Sequence, residues 1–439
     1  MKTLTDRLFD FLDHSTCCFT AAENICRRLD EAGFTPLAMD EPWPALKPGD
    51  RRYVVKNASA VFAFVVGTDP AAGFKIIAAH SDSPGFRIKP NPEIDGACDV
   101  LRLNTEVYGG PILYTWFDRP LSMAGRVVLR GDNPLHPVTR IVDFRRPLMV
   151  IPHLAIHFNR AVNEGNPLSR QRDMMPVAGF IRDQYQKPGF LISRIAGELG
   201  CHEAEILDYD LCLYPVEKAC TVGFDNELIT SGRIDDLEMA FCGLEALTAD
   251  AAAGSDTMTR VLAVFDNEET GSGTKQGAAS PVLRYVLERL TASSLVGSDG
   301  LAYAETLQVA YARSFLVSAD NAHGAHPNCL DKADPTNRPR LGGGPVIKFN
   351  ANCKYMTDAD SAAVFRAVCD RAGVPCQTFV NHSDIAGGST LGNILTSQIP
   401  LRGVDMGAPQ WAMHSCRETA AVADVDYIVK AFTSFFTAM

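Results

Sequence analysis

The chain has 439 residues, 46% hydrophobic and 21% charged, a composition that excludes disordered, collagen-like and disulfide-stapled miniature proteins. Forty-one basic against fifty-two acidic residues leave a net charge of −11, which argues against general binding to nucleic acid or anionic lipid. No apolar run approaches the roughly 20 residues that span a bilayer, and thirteen cysteines without a C-x-x-C pair fit reduced thiols in a cytoplasm.

Residues 3–33 read as an amphipathic helix pair, with Leu4, Leu8, Phe11 and Leu12, then Ala22, Ile25, Cys26 and Leu29 at helical spacing. Asp6, Arg7, Asp10 and Asp13 interrupt any apolar core there, so no secretion signal is expected. Strands are predicted over Arg52–Lys56, Ser59–Val66 and Phe74–Ala79, the last delivering His80 at its end. From about residue 90 the texture becomes mainly β. Strand signals at Val107–Gly110, Ile112–Trp116, Gly125–Leu129 and Thr139–Phe144 alternate with turns, and some helix is expected near Arg182–Leu199.

Beyond Ile234, helical runs (Asp235–Ala251, Ser280–Thr291, Ala359–Ala372, Ala423–Thr437) alternate with apolar strands (Arg260–Phe265, Ser314–Ala319, Pro345–Phe349, Gln377–Val380). That alternation predicts an α/β sandwich. The simplest organisation is one α/β domain, residues 1–91 and 225–439, interrupted by a β-rich insertion over 92–224.

Five segments put His, Asp or Glu after an apolar strand or on a loop. They carry His80 with Asp82, Asp235 with Asp236, Glu268 with Glu269, Asp320 with His323, and His414 with Glu418. In open α/β sheets, functional groups collect at the carboxyl ends of strands. A lone residue of this kind is structural more often than not; five in one domain point to a metal site. Imidazoles and carboxylates without a thiolate cluster suit Zn²⁺, Co²⁺ or Mn²⁺. Two divalent ions held by His80, Asp235, Glu269, Asp320 and His414 would leave one positive charge, which a hydroxide could neutralise. One carboxylate should bridge the pair, and such paired ions activate water for hydrolysis. Glu268 and Glu269, if extended, point in opposite directions, so one can ligate while the other acts as general base. Asp82 is placed to orient the His80 imidazole.

Together with Trp116 in Gly-Gly-Pro-Ile-Leu-Tyr-Thr-Trp-Phe-Asp-Arg, and with His153 and His157 in Ile-Pro-His-Leu-Ala-Ile-His, these segments resemble the M18 metallopeptidases, the aspartyl aminopeptidases, over essentially the whole chain. The resemblance implies a zinc-exopeptidase-like α/β fold with an inserted β-rich domain for assembly into dodecamers. It implies that His80 and Asp320 hold one metal, Glu269 and His414 the other, and Asp235 bridges them. Glu268 would be the general base, with Asp82 supporting His80. Lys348 and Tyr355 resemble the family's pocket for an acidic side chain, and His157 a histidine that reaches a neighbouring subunit's active site. Asp236, Thr270 and Ser81 depart from the family's usual residues without removing a ligand. The implied protein is a cytoplasmic homo-oligomeric aminopeptidase acting on peptides with Asp or Glu at the N-terminus, with no nucleic-acid or membrane partner.

Competing motifs are weak. Gly271-Ser-Gly273-Thr-Lys275 is not a P-loop, and Gly387-Gly388-Ser389-Thr390-Leu391 misses the nucleophile elbow. His153 and His157 have the i,i+4 spacing of a helical metal pair, but Leu154 stands where H-E-x-x-H needs a carboxylate. His323 and His326 flank Gly324 and suit a loop. A two-metal carboxypeptidase or deacylase, or an aminopeptidase of broader specificity, is the alternative.

Overall fold

Near-continuous apolar runs give each central strand two buried faces, and this sets the layering. The computed structural model describes residues 2–95, 97–180, 189–249, 256–295 and 300–438. The described residues divide into two units: Met1–Asp82, Ala219–Met413 and Glu418–Met439 form the first, and Ser83–Lys218 with His414–Arg417 the second. The boundary expected near residue 92 therefore falls inside a strand, Gly85–Asp95, that belongs wholly to the second unit.

The first unit is built on a nine-stranded mixed sheet. Its strands are β1 (Thr35–Pro36), β2 (Arg51–Lys56), β3 (Ala60–Val65), β4 (Phe74–His80), β5 (Thr259–Phe265), β6 (Phe315–Ala319), β7 (Val346–Phe349), β8 (Gln377–Val380) and β9 (Arg402–Gly407). They lie in the order β1-β2-β3-β5-β4-β6-β9-β7-β8. At the centre, β5, β4, β6 and β9 run parallel, with Phe265 opposite His80 and Ala319 opposite Met406.

On one face Ile77, Ala79, Leu262, Val264 and Val317 pack under α1 (Leu4–His14), α2 (Cys18–Glu31), α3 (Ile234–Thr248), α6 (Ala359–Ala372) and α8 (Val422–Thr437). On the other, Ile76, Ala78, Val261, Ala263 and Phe265 meet α4 (Val282–Ser294), α5 (Gly300–Arg313) and α7 (Leu391–Gln398). Burying strands on both faces explains their near-continuous apolar sequences. The expected α/β sandwich is observed. The sequence missed α5, α7 and β9.

The second unit has a six-stranded antiparallel sheet in the order His136–Asp143, Leu121–Asn133, Ile206–Pro215, Gly85–Asp95, Val100–Tyr108, Val177–Phe180. Phe86, Met123, Val127 and Leu211 on it pack with Trp116 and with Leu191 and Ile195 of the helix Phe190–Leu199. Residues 182–188 of the helix expected near Arg182–Leu199 lie outside the described residues. Ile112–Trp116, expected as a strand, contains instead the 3₁₀ turn Leu113–Trp116, which buries Trp116 edge-on against Phe86.

Candidate metal centre and active site

Three parallel strands end side by side, and each releases a candidate ligand at its carboxyl end. His80 closes β4, Asp320 follows β6, and the turn carrying Glu268 and Glu269 follows β5. Asp235 and Asp236 enter from the start of α3, joined by a cis peptide bond. The ligand atoms of His80, Asp235, Asp236 and Asp320 lie within 4.8 Å of one another, as do those of His80, Glu268 and Glu269.

The His80 ring is held at both nitrogens. Its Nδ1 lies 3.0 Å from the Asp82 carbonyl oxygen and 3.3 Å from the Asp82 carboxylate, and its Nε2 is 3.4 Å from Asp235 Oδ1. An imidazole donating from Nδ1 presents Nε2 as the ligand atom. The Asp82 carboxylate also accepts the backbone N–H groups of Glu268 (3.1 Å) and Glu269 (3.2 Å), tying the exit of β4 to the acidic turn. Asp236 accepts the backbone N–H of His80 at 3.0 Å and of Asn321 at 3.3 Å, bracing two strand ends. Glu418 Oε2 accepts the Asp235 N–H at 3.1 Å.

So many buried acids perturb one another. Burial, then the Asp320 carboxylate, pushes the Glu268 carboxyl up to about 8, against the pull of His80. Glu269 is raised well above the ordinary range by burial and then Asp235, and Asp236 and Asp320 are raised first by burial too. For His80, burial acts to lower the imidazole, but Asp236, Asp235 and Asp82 outweigh it and the ring is raised. Lys348 behaves similarly: its ammonium is 4% exposed and sits 3.5 Å from Asp320, which offsets the cost of burial. Carboxylates packed this closely around one imidazole want more positive charge than the chain supplies. The donor set, imidazole and carboxylate oxygen without sulfur, fits divalent ions of the zinc class.

Residues 11–436 match the family described as aminopeptidase I zinc metalloprotease (M18). The chain belongs to the M18 family. This M18 chain is 47% identical over 433 residues to a probable M18 family aminopeptidase 2 of Clostridium novyi (strain NT), across 98% of both chains. A chain in the cryo-electron-microscopy structure of the Ape4 and Nbr1 complex matches it with a TM-score of 0.93 and 34% identity, over 99% of this chain and 85% of that one. The S. cerevisiae mApe1 dodecamer matches with a TM-score of 0.85 and 25% identity, over 98% and 96%. The M18 chain is accordingly a metallo-aminopeptidase, a hydrolase.

The remaining expectations fall out unevenly. His414 belongs to the second unit of the M18 chain, where its Nδ1 lies 3.2 Å from the Gly110 carbonyl oxygen and its own carbonyl accepts from Ile112. Tyr355 is buried with Ala322, Val346 and Phe379, and its ring lies 5.7 Å from Lys348 Nζ. One expectation is corrected. Glu268 and Glu269 do not lie on an extended segment but open a 3₁₀ turn, because Asn267 before them (φ 65°) and Gly271 after them (φ 90°) adopt left-handed backbone conformations. His153 and His157 do not share a helix face. They lie in a loop where the His153 ring packs edge-on against Phe117 and His157 is exposed. Asp236, Asn321 and Glu418 were assigned no bracing role from sequence, since a hydrogen bond to a distant backbone leaves no local pattern.

Proposed function

We propose that the protein is a two-metal aminopeptidase that removes Asp or Glu from the N-terminus of peptides. The observation that carries this reading is the convergence of His80, Asp235, Asp320 and the Glu268–Glu269 turn at the ends of adjacent parallel strands. In it, His80 and Asp320 hold one ion, Glu269 and His414 the other, and Asp235 bridges them; the family resemblance supplies this division. Zn²⁺ is the ion the family description favours, with Co²⁺ and Mn²⁺ chemically suited. Bound there, the ions supply Lewis acidity to the scissile carbonyl and to the attacking water.

The chain's own groups do the rest. Glu268, on the turn that follows β5 and within ligand distance of His80 and Glu269, is placed to take a proton from water and to give it to the departing amine. Asp82 fixes the His80 ring and the Glu268 backbone at once. Lys348, buried and cationic, meets the acidic side chain of the substrate, and the Tyr355 ring beside it closes the apolar side of that pocket.

A panel of N-terminal aminoacyl substrates on purified, metal-defined protein tests this. Lys348→Met should depress cleavage of Asp- and Glu-peptides by at least about tenfold, the loss expected on removing one charge-assisted contact, and Ala- or Leu-peptides far less. Best cleavage of neutral or basic N-termini by the unaltered protein would overturn the specificity.

Self-association into a dodecamer, in the cytoplasm, belongs to the same reading. Support for the assembly comes from the dodecameric mApe1 relative and from the exposed apolar side chains Leu154, Ile156 and Phe158 around His157. In this arrangement His157 serves a neighbouring subunit's site. Among the described residues, no helix is long and apolar enough to cross a membrane.

A further inference from the structure

A cavity of about 220 Å³ opens in the first unit beside Phe379, which also stands opposite Lys348 in the β7–β8 register and packs with Tyr355. His323, three residues beyond Asp320, lines it too, and its ring meets Phe379 at 5.9 Å. The cavity's polar lining comes from His323, His326, Lys332, Asn337, Asn381 and His382, and none of its lining residues is an acid. In a chain with a net charge of −11, that is an unusual local balance.

The tautomers sharpen the chemistry. The Asn328 backbone N–H donates to His326 Nδ1 at 3.2 Å, and the Asp384 N–H donates to His382 Nδ1 at 3.2 Å. Only an unprotonated nitrogen accepts, so each neutral ring carries its proton on Nε2 and has a donor there. Lys332 adds a cation and Asn381 an amide group, whereas the Asn337 amide already donates to Asp334 at 2.9 Å and to Thr336 at 3.3 Å. Three acids stand just outside the lining: Asp334 at that Asn337 amide, Asp331 3.8 Å from Lys332, and Asp384 4.0 Å from His382; the last two carboxylates are largely exposed and screened by water. A lining with this excess of donors suits an anion.

We propose that this cavity binds a carboxylate on the departing part of the substrate, beyond the scissile bond, so that the enzyme favours short peptides with a second negative charge. The proposal rests on the reading that Lys348 receives the first, N-terminal acidic side chain. The second carboxylate has two sources, the C-terminus of a dipeptide or an acidic side chain at the second position.

The test compares Asp-Ala, Asp-Ala-amide and Asp-Asp-amide on the metal-loaded protein and on the double variant His382→Ala, Lys332→Met. The expected result is a KM raised by about tenfold for Asp-Ala, for Asp-Asp-amide, or for both, with Asp-Ala-amide unchanged. Which of the two moves identifies the source. His382→Gln, which keeps a neutral N–H donor, should recover part of the loss. Equal changes on all three substrates, or none, would overturn the proposal. The same comparison with Leu-Ala and Leu-Ala-amide separates the two readings: if Leu-Ala were the better substrate overall, the Lys348 specificity would fail, while the gap between free acid and amide would still judge the cavity.

Discussion

At the scale of single residues, the site separates the group that reacts from those that hold it. Glu268 is bound through its backbone N–H to Asp82, so removing its acidity should leave the turn in place. Glu268→Gln is expected to lower turnover by about 10²–10⁴-fold. Added Zn²⁺ should raise the melting temperature of the metal-free variant as it does that of the metal-free parent, since ion binding stabilises the folded state by mass action. Near-normal turnover, or a lost thermal response, would remove Glu268 from the role of general base. A second acid acts on stability alone. Asp424, in the first turn of α8, accepts the N–H groups of Gly342 (2.7 Å) and Gly344 (2.8 Å), yet burial, the largest effect, pushes its carboxyl up to about 6 from 3.8. Between those values the native chain keeps a proton that the unfolded chain releases. Stability from this group is therefore complete below the lower value, falls as pH rises through the window and is level above it, a change of order 2–3 kcal/mol. Asp424→Asn should flatten the pH dependence of the urea midpoint between pH 4 and about 6; an unchanged slope would assign it to other groups.

At the scale of elements, the position of Asp320 depends on how closely β9 runs beside it. A Cβ added at Gly407 would stand 1.9 Å from the Asp320 carbonyl oxygen and 2.7 Å from its carbonyl carbon, both backbone atoms that cannot swing aside. Gly407→Ala should therefore destabilise the fold by about 1–3 kcal/mol, the ordinary cost of overpacking. Because the displaced strand end carries Asp320, metal affinity should weaken as well. Calorimetry with and without added Zn²⁺ reads both effects, and a variant as stable and as metal-responsive as the parent would show that the strand end yields. The acidic turn is likewise set by its neighbours in the chain. Two successive glutamates after an apolar strand look like a continuing strand, but Asn267 and Gly271 turn the chain back on itself and place both carboxylates by the site.

At the scale of the whole molecule, the described exposed surface of the second unit includes apolar side chains that a lone chain leaves in water. Phe158 is 81% exposed, next to His157 and near Leu154 and Ile156. Light scattering should show a particle of many chains, twelve by the proposed reading. Phe158→Asp should break it into smaller species and reduce activity in parallel, because buried charge at an apolar contact is costly. A fully active monomer would refute both the assembly and the contribution of His157.

Much of this protein was legible in its residues. The period of apolar positions located the helix pair at the start, the central strands and α6, whose bounds Ala359–Ala372 agree with the pattern. Strand-end acids and imidazoles named the candidate ligands, because a sheet strand ends where its apolar run ends and the next side chain is the one exposed to chemistry. Three kinds of fact lay beyond it. Helix α5 and strand β9 carry too little periodicity of their own and are helix and strand because their neighbours bury them. The bracing roles of Asp236, Asn321 and Glu418 depend on backbone groups tens to hundreds of residues away. The acid-free cavity is assembled from the segment around residues 323–339, the end of β8 and the loop that follows it to residue 388, distant stretches that no local pattern joins. Side-chain chemistry and local periodicity are written along the chain; proximity is decided only when the sheet closes and distant segments share one space.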